Sequence, residues 1–307
     1  MASRAACADQ PHRGRDPSEI PGLRPAVPMW IVRPAGVYSR FSNNNEIRGN
    51  TVGATEVMAP PQGGRISRDR TERRWDRNFF LLMVALIWLG ILMGFVPEII
   101  GRIHADKPFP AVVYFHGAVF VTWLCLLTTQ VLLIRARRVD LHRELGMAGV
   151  ALYGAMLVLG IVTSVVVDYK DFVTPQSDPS FFSIQLADML AFGVLGGAAI
   201  ALRKSPDAHK RLMVLATIFI ADAGFSRWWS PGLERLLGNG YWGNWAQLYL
   251  SDFLLAALVG AYDLLSRRRL YSAYVFGAVW GVGVDLVAIW MYVSPWWKPV
   301  ATVLIGR

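Results

Sequence analysis

Long apolar segments separated by short polar ones occupy the chain from residue 78 to residue 293. A helix needs about 20 mostly apolar residues to cross about 30 Å of hydrocarbon, and these segments are close to that length or longer. The pattern predicts an all-α fold: a polytopic membrane helix bundle with seven transmembrane helices. The predicted spans are residues 79–99, 110–134, 145–167, 181–202, 211–228, 243–265 and 271–293.

The first 77 residues lack this apolar pattern. Arg, Pro, Gly and Asn are frequent there, and no apolar segment of a secretory signal peptide follows Met1. We predict a disordered basic N-terminal tail over residues 1–77 and a transmembrane domain over residues 78–307. Met58 opens a short leader ahead of the first span and is an alternative start site, which peptides from residues 1–57 of the native protein would exclude.

Basic residues are distributed unequally between the two sides of the predicted bundle. Seventeen Lys and Arg residues lie in the flank 65–77 before the first span and in the loops after the second, fourth and sixth spans, against seven on the other side. Cytoplasmic loops carry the excess of basic residues, so we predict a cytoplasmic N-terminus and an external C-terminus. The expected location is the cytoplasmic membrane, with the lipid bilayer as partner.

Composition supports a membrane protein and argues against a nucleic-acid partner. Of 307 residues, 54% are hydrophobic and 17% charged, below the roughly 25% charged of soluble domains. The net charge of +9 comes from 13 basic and 8 acidic residues in 1–77, and 18 and 14 in 78–307. The latter basic residues sit in alternate loops and form no continuous patch. Two cysteines, Cys7 and Cys125, allow no zinc knuckle or disulfide framework.

Three local patterns indicate packing and surface features. The Gly-xxx-Gly motifs at 193–197 and 277–281 predict that two helix backbones approach closely. Residues 231–238 could form a short interfacial helix inside a loop rich in Trp and Tyr. Asp263 and Arg267 are spaced for an ion pair on the surface of one helix.

Four aspartates fall inside predicted spans. A carboxylate at depth costs at least about 2.5–3.5 kcal/mol on insertion scales, so such residues usually face the bundle interior and have a partner. At about 1.5 Å per residue, all four lie in the outer half of the bundle, with His116 at the same depth and Arg227 slightly further out. The four are Asp188, Asp222, Asp252 and Asp285.

This layer of acids predicts a polar cavity that binds a small polar solute or a cation, or that relays protons. Four like charges cannot all stay ionised close together, so some carry a proton or share a counter-ion. The alternative is that the acids pair singly with Arg227 or with Trp, Tyr and Ser donors. His116, Trp123 and Gln130 are spaced by seven and share one face of the second span, which adds His116 and Gln130 to the candidate binding residues.

His142 and His209 suggest a second class of function. Each follows a basic loop and precedes a span that runs outward, so both are expected at one depth near the cytoplasmic surface. Two histidines on separate helices at one depth can ligate a b-type haem, and a membrane redox protein that binds haem or quinone is the alternative hypothesis. Histidines in basic interfacial sequence also contact lipid phosphate. An intramembrane hydrolase is a third hypothesis and needs a metal, but the sequence has no HExxH motif.

The chain resembles an uncharacterised family of bacterial multi-pass inner-membrane proteins over most of residues 79–293. The resemblance implies a membrane bundle in the bacterial inner membrane and supports the choice of candidate residues, but it implies no reaction. It rests on Phe115-His116-Gly117, Trp123, Gln130, Leu141-His142-Arg143-Glu144-Leu145-Gly146, Asp188-Met189, His209-Lys210-Arg211-Leu212-Met213, Asp252 and Ala261-Tyr262-Asp263.

Overall fold

The computed structural model describes the backbone of residues 63–170 and 178–306, and the side chains of residues 78–169 and 178–306. In these ranges the chain is helical and contains no strand. The helices are α1 Gly63–His104, α2 Ala111–Arg135, α3 Val139–Lys170, a 3₁₀ turn Pro179–Phe181, α4 Phe182–Ala201, α5 Pro206–Ile218, α6 Asp222–Leu237, α7 Tyr241–Arg267, α8 Ser272–Val293 and α9 Trp297–Leu304.

The helical architecture agrees with the prediction from the apolar pattern. Six of the helices are long and apolar enough to cross a membrane, and α5 with α6 adds a seventh if this bent pair is one span. These helices are compatible with an integral membrane protein. Large apolar side chains remain exposed along them, Val158 at 63% and Val279 at 69%, as expected of surfaces that face lipid tails.

The fifth predicted span is broken. Helix α5 ends at Ile218, α6 begins at Asp222, and their axes differ by 46°. Between them the N–H groups of Ile220 and Ala221 donate to carbonyls three residues earlier, at 3.4 and 2.9 Å. Asp222 then opens α6, where a carboxylate suits the positive end of the helix dipole. The prediction of a separate interfacial helix at 231–238 is wrong, because α6 continues through Pro231 to Leu237.

Several boundaries differ from those predicted. The backbone is already helical from Gly63, so the expected boundary between residues 77 and 78 falls inside α1. The rest of the predicted tail and the alternative start at Met58 lie outside the described residues. Helix α3 begins at Val139, before the predicted start at 145, because the loop after α2 is short. The C-terminal α9 was not predicted; Trp297 Nε1 fixes it by donating to the carbonyl of Ser180 at 3.0 Å.

Helix α5 lies at the centre of the bundle. It packs against α1, α4, α7 and α8, while α2 and α3 pair with each other at the periphery. The core around α5 includes the fully buried Leu215, Phe219, Met83 and Phe192. At one end of the bundle, the loops 136–138, 202–205 and 268–271 carry Arg and Lys side chains. This end is called the basic end below.

The glycines of the two Gly-xxx-Gly motifs, at 193–197 and 277–281, make room for side chains of neighbouring helices and not for a close approach of two backbones. A Cβ added at Gly281 would overlap the ring of Phe219, and one at Gly277 would lie 2.7 Å from a Leu215 methyl carbon. The close backbone approach occurs instead between α1 and α6. There a Cβ at Gly94 would overlap the carbonyl oxygen of Gly224. The crossing fixes the start of α6 against α1.

Candidate functional site

The four intramembrane aspartates come from four different helices of the bundle. Asp222, Asp252 and Asp285, on α6, α7 and α8, are 2%, 0% and 3% exposed. Asp188 on α4 is half-buried overall, although its Oδ1 has almost no solvent contact. The four helices that carry them are in contact, since α4 packs on α8, and α7 packs on α6 and α8.

Electrostatic interactions show that the aspartates lie near one another. Asp188 interacts with the charges of Asp222 and Asp285, and Asp252 interacts with those of the other three. The phenol of Tyr249, which is fully buried, interacts with all four carboxylates. We call Asp188, Asp222, Asp252, Asp285 and Tyr249 the aspartate–tyrosine cluster.

Tyr249 is the member of the cluster that sequence reasoning missed. It lies three residues before Asp252, so the two side chains share a face of α7. That spacing was the available signal, but ten tyrosines occur in the chain and the spacing alone does not distinguish this one. Burial distinguishes Tyr249, because belt tyrosines keep their hydroxyl groups in the wet interface.

Several polar atoms of this region have no hydrogen-bond partner in the described part of the chain. They are Asp188 Oδ1, Asp222 Oδ1, Asp252 Oδ2, the Tyr249 hydroxyl, Gln185 Oε1 and Trp245 Nε1. Leaving one buried polar atom unsatisfied costs about 1–3 kcal/mol, so a concentration of them needs an explanation. Four of the six are oxygens that accept hydrogen bonds, which makes the cluster complementary to protons and to hydrogen-bond donors.

Hydroxyl groups join the helices that carry the cluster. Ser183 Oγ of α4 donates to the carbonyl of Ala288 at 3.1 Å, and the Tyr241 hydroxyl of α7 donates to the carbonyl of Leu286 at 2.8 Å. Both acceptors follow Asp285 on α8. Ser251 Oγ donates to Asp252 Oδ1 at 3.2 Å, which satisfies one of its two carboxylate oxygens.

Arg227 and His116 lie beside the cluster. Arg227 Nε donates to Glu98 Oε2 at 2.7 Å, and its guanidinium lies 4.4 Å from the ring centre of Phe95. Its charge still acts on Asp222 and on His116. The predicted ion pair of Arg227 with Asp222 or Asp285 is therefore replaced by a pair with Glu98, a residue that the sequence analysis did not select.

His116 has different neighbours from those expected. Its ring stacks on Phe120, with 6.4 Å between centroids, and it lies within hydrogen-bonding reach of the Leu159 backbone on α3. Arg227 is the charged group that acts on it. His116 thus belongs to the contact between α2 and α3, one step removed from the aspartates.

The structure does not bring Gln130 to the four aspartates. Gln130 follows His116 by 14 residues, about 21 Å along one helix. Its Nε2 lies 3.8 Å from the position of a Cβ at Gly146, and its backbone lies within reach of the His142 ring. Gln130 therefore belongs to the basic end. Trp123, midway along the stripe, is buried and donates to Thr217 Oγ1 at 3.2 Å.

The histidines of the alternative hypothesis are neighbours. The ring centroids of His142 and His209 are 6.3 Å apart and the ring planes are nearly perpendicular, at 85°. His209 Nδ1 lies 2.8 Å from the carbonyl oxygen of Ala199. The first turns of α3 and α5 thus meet at the basic end.

A buried ion pair of Arg211 and Asp263 lies at the basic end and differs from the pair predicted for Asp263. Asp263 is fully buried, whereas the predicted ion pair would place it on the surface of the helix. Its two oxygens accept bonds from Arg211 Nε at 2.6 Å and Nη2 at 2.5 Å. The Arg211 guanidinium is itself fully buried and lies 3.7 Å from the ring centre of Tyr271. This bidentate pair joins the start of α5 to the end of α7.

No group of three or more His, Cys, Asp or Glu side chains in the described residues is arranged to hold a metal ion. Comparisons with family models, with curated proteins and with solved structures find no match to this chain. What the cluster can do follows from its own chemistry: it can take up protons and accept hydrogen bonds away from bulk water.

Proposed function

We propose that the protein is a multi-pass membrane protein that binds and translocates protons, or a small solute that donates hydrogen bonds, through the aspartate–tyrosine cluster. One observation carries the proposal: four carboxylates and a phenol on α4, α6, α7 and α8 share a buried region, and three of the carboxylate oxygens and the phenol have no partner among the described residues. Charged residues at membrane depth usually mark proton relays or substrate pathways.

The broken helix supports this proposal. Membrane transporters place discontinuous helices at their binding sites, because the free helix ends present dipoles and backbone groups to the solute. Here the break between α5 and α6 lies immediately before Asp222, one of the four acids. A continuous helix would satisfy all of its backbone hydrogen-bonding groups, whereas a break leaves some of them free. A break at the depth of the aspartates therefore favours a binding role for this segment over a purely structural one.

Within the proposed site the residues have different roles. Asp188 and Asp252 flank Tyr249 and accept hydrogen bonds from the bound proton or solute. Asp222 and Asp285 share the proton load, because four adjacent carboxylates cannot all be ionised. Arg227, held by Glu98, compensates negative charge near Asp222. The charge of Arg227 also acts on His116, which connects this histidine to the cluster.

Substitution of the buried acid tests the proposal. The protein is reconstituted into liposomes that contain a pH-sensitive dye, and the proton flux is measured with and without external methylammonium, a small solute that donates hydrogen bonds. We expect the flux of the wild-type protein to exceed that of empty liposomes. Asp252→Asn removes an ionisable group at nearly constant volume and should lower the flux by about tenfold or more, equivalent to about 1.4 kcal/mol. Tyr249→Phe should lower it as well, since it removes the central hydroxyl.

Asp106→Asn is the matched control, because it makes the same chemical change at an exposed residue in the loop after α1. The infrared C=O band of protonated carboxylic acid gives a second readout that does not depend on transport. If Asp252→Asn and Asp188→Asn leave both the flux and this band unchanged, the cluster has no such function.

We further propose that the chain lies in the bacterial inner membrane as seven spans, with the N-terminus in the cytoplasm and the basic end facing inward. The excess of Arg and Lys in the loops at that end supports this orientation. The resemblance over residues 79–293 supports the assignment to a family of bacterial inner-membrane proteins. A reporter active only in the cytoplasm, fused after Arg307, should be inactive, while one active only outside should be active. The opposite pattern contradicts the orientation.

A further inference from the structure

Two histidines from separate hairpins lie side by side at the basic end, far from the aspartate–tyrosine cluster. His142 is in the first turn of α3 and His209 in the first turn of α5. Both helices pack on α4. The ring centroids are 6.3 Å apart, and both side chains are half-buried. The fold therefore brings together two imidazoles that are 67 residues apart along the chain.

The hydrogen bond of His209 prepares its other nitrogen for ligation. Nδ1 lies 2.8 Å from the carbonyl oxygen of Ala199. A carbonyl only accepts hydrogen bonds, so Nδ1 carries the hydrogen, and in the neutral ring Nε2 then has a free lone pair. Histidines that ligate metals almost always donate their second nitrogen to a carbonyl or carboxylate in this way.

His142 also has a nitrogen available. Its Nδ1 is buried and has no hydrogen-bond partner among the described residues. The backbone of Gln130 lies within hydrogen-bonding reach of the same ring, and Gln130 Oε1 is buried without a partner as well. The unpartnered His142 Nδ1 is therefore free to accept a bond from a ligand.

The separation of the rings matches one metal between them. Metal–imidazole bonds are about 2.0 Å long, so two rings on opposite sides of one metal have centres roughly 6 Å apart. Rings that share a tetrahedral ion lie closer, at about 5 Å. The observed 6.3 Å between the ring centroids is therefore long enough for one metal to lie between the two rings.

We propose that His142 and His209 jointly ligate one transition-metal centre whose remaining ligands come from outside the chain. The centre is either the iron of a b-type haem or a free ion such as Cu²⁺. Charge favours haem, because Arg143 acts on His142 and a cation there opposes a bare dication but favours a ligand that carries carboxylates.

The test uses the full chain purified in detergent after expression with ample haem precursor. We expect wild-type protein to show a Soret band and the electron paramagnetic resonance signal of iron with two imidazole ligands. His142→Gln and His209→Gln should each lower haem occupancy by at least about tenfold. Glutamine at 209 retains an amide that can donate to the Ala199 carbonyl, so the helix contact is kept.

The exposed His104 provides the matched control, and His104→Gln should bind haem as wild type does. A parallel titration of haem-free protein with Cu²⁺ distinguishes the two sources of metal, since binding that needs both His142 and His209 identifies a free-ion site. The proposal is overturned if folded wild-type protein binds neither haem nor Cu²⁺, or if both glutamine variants bind as wild type does. Neither result bears on the flux through the aspartates, so the two proposals fail independently.

Discussion

Replacing Arg211 with methionine should destabilise the bundle by about 3–5 kcal/mol, because the buried Asp263 carboxylate then keeps its charge without a partner. In the native structure Arg211 donates to both Asp263 oxygens, and its Nη1 donates to the Asp207 carbonyl oxygen at 2.8 Å. Both charged side chains are essentially unexposed, at 0% and 1%. Equilibrium unfolding of the detergent-solubilised protein with increasing denaturing detergent measures the loss.

The double variant Arg211→Met with Asp263→Leu separates lost charge pairing from lost packing. An apolar pair of similar volume often replaces a buried ion pair with little loss, so the double variant should recover most of the stability. If Arg211→Met is no less stable than wild type, the guanidinium does not hold α5 against α7. If the double variant is as unstable as the single one, packing and not charge explains the effect.

Replacing Gly94 with alanine should force α1 and α6 apart. The added Cβ would overlap the carbonyl oxygen of Gly224, a backbone atom that cannot rotate away as a side chain can. Added atoms in a packed interior typically cost about 1–3 kcal/mol, and a backbone obstacle favours the upper part of that range. We expect a lower thermal midpoint in detergent, and also a lower proton flux, because the displaced α6 carries Asp222 at its first position.

Gly154 supplies the control for this prediction. It lies in the interior of α3, and a Cβ there would meet nothing within 4 Å. Gly154→Ala should therefore be neutral, or slightly stabilising because alanine favours helix. Equal melting temperatures for Gly94→Ala and wild type would show that the two backbones do not make this contact in the membrane.

The sequence was sufficient for most helices because long apolar runs and short basic loops are local signals. The break at 219–221 has no such signal, since the segment Phe219-Ile220-Ala221 contains neither Gly nor Pro and continues the apolar run. Arg211 shows a related limit. It was counted among the basic residues of a loop, yet it is fully buried against Asp263, a partner 52 residues away that only the fold brings near.

The candidate site was predictable to a similar degree. Depth along each span was enough to place the four aspartates in one layer, because rise per residue is nearly constant in a helix. Gln130 does not belong to this layer. It shares a helix face with His116, but it lies 14 residues further along the helix and so at a different depth. Neither Tyr249 nor Glu98 stood out, because burial and ion pairing across helices depend on how the helices turn toward one another.

The two hydroxyl bonds to α8 restrict how that helix can move. Leu286 and Ala288 are two residues apart, about 200° around the helix, and their carbonyls are bound from α7 on one side and α4 on the other. Turning α8 about its own axis would break both bonds in an apolar medium that offers no replacement. The direction of the Asp285 side chain is thus set jointly by three helices, so any motion that re-aims this carboxylate must carry α4, α7 and α8 together.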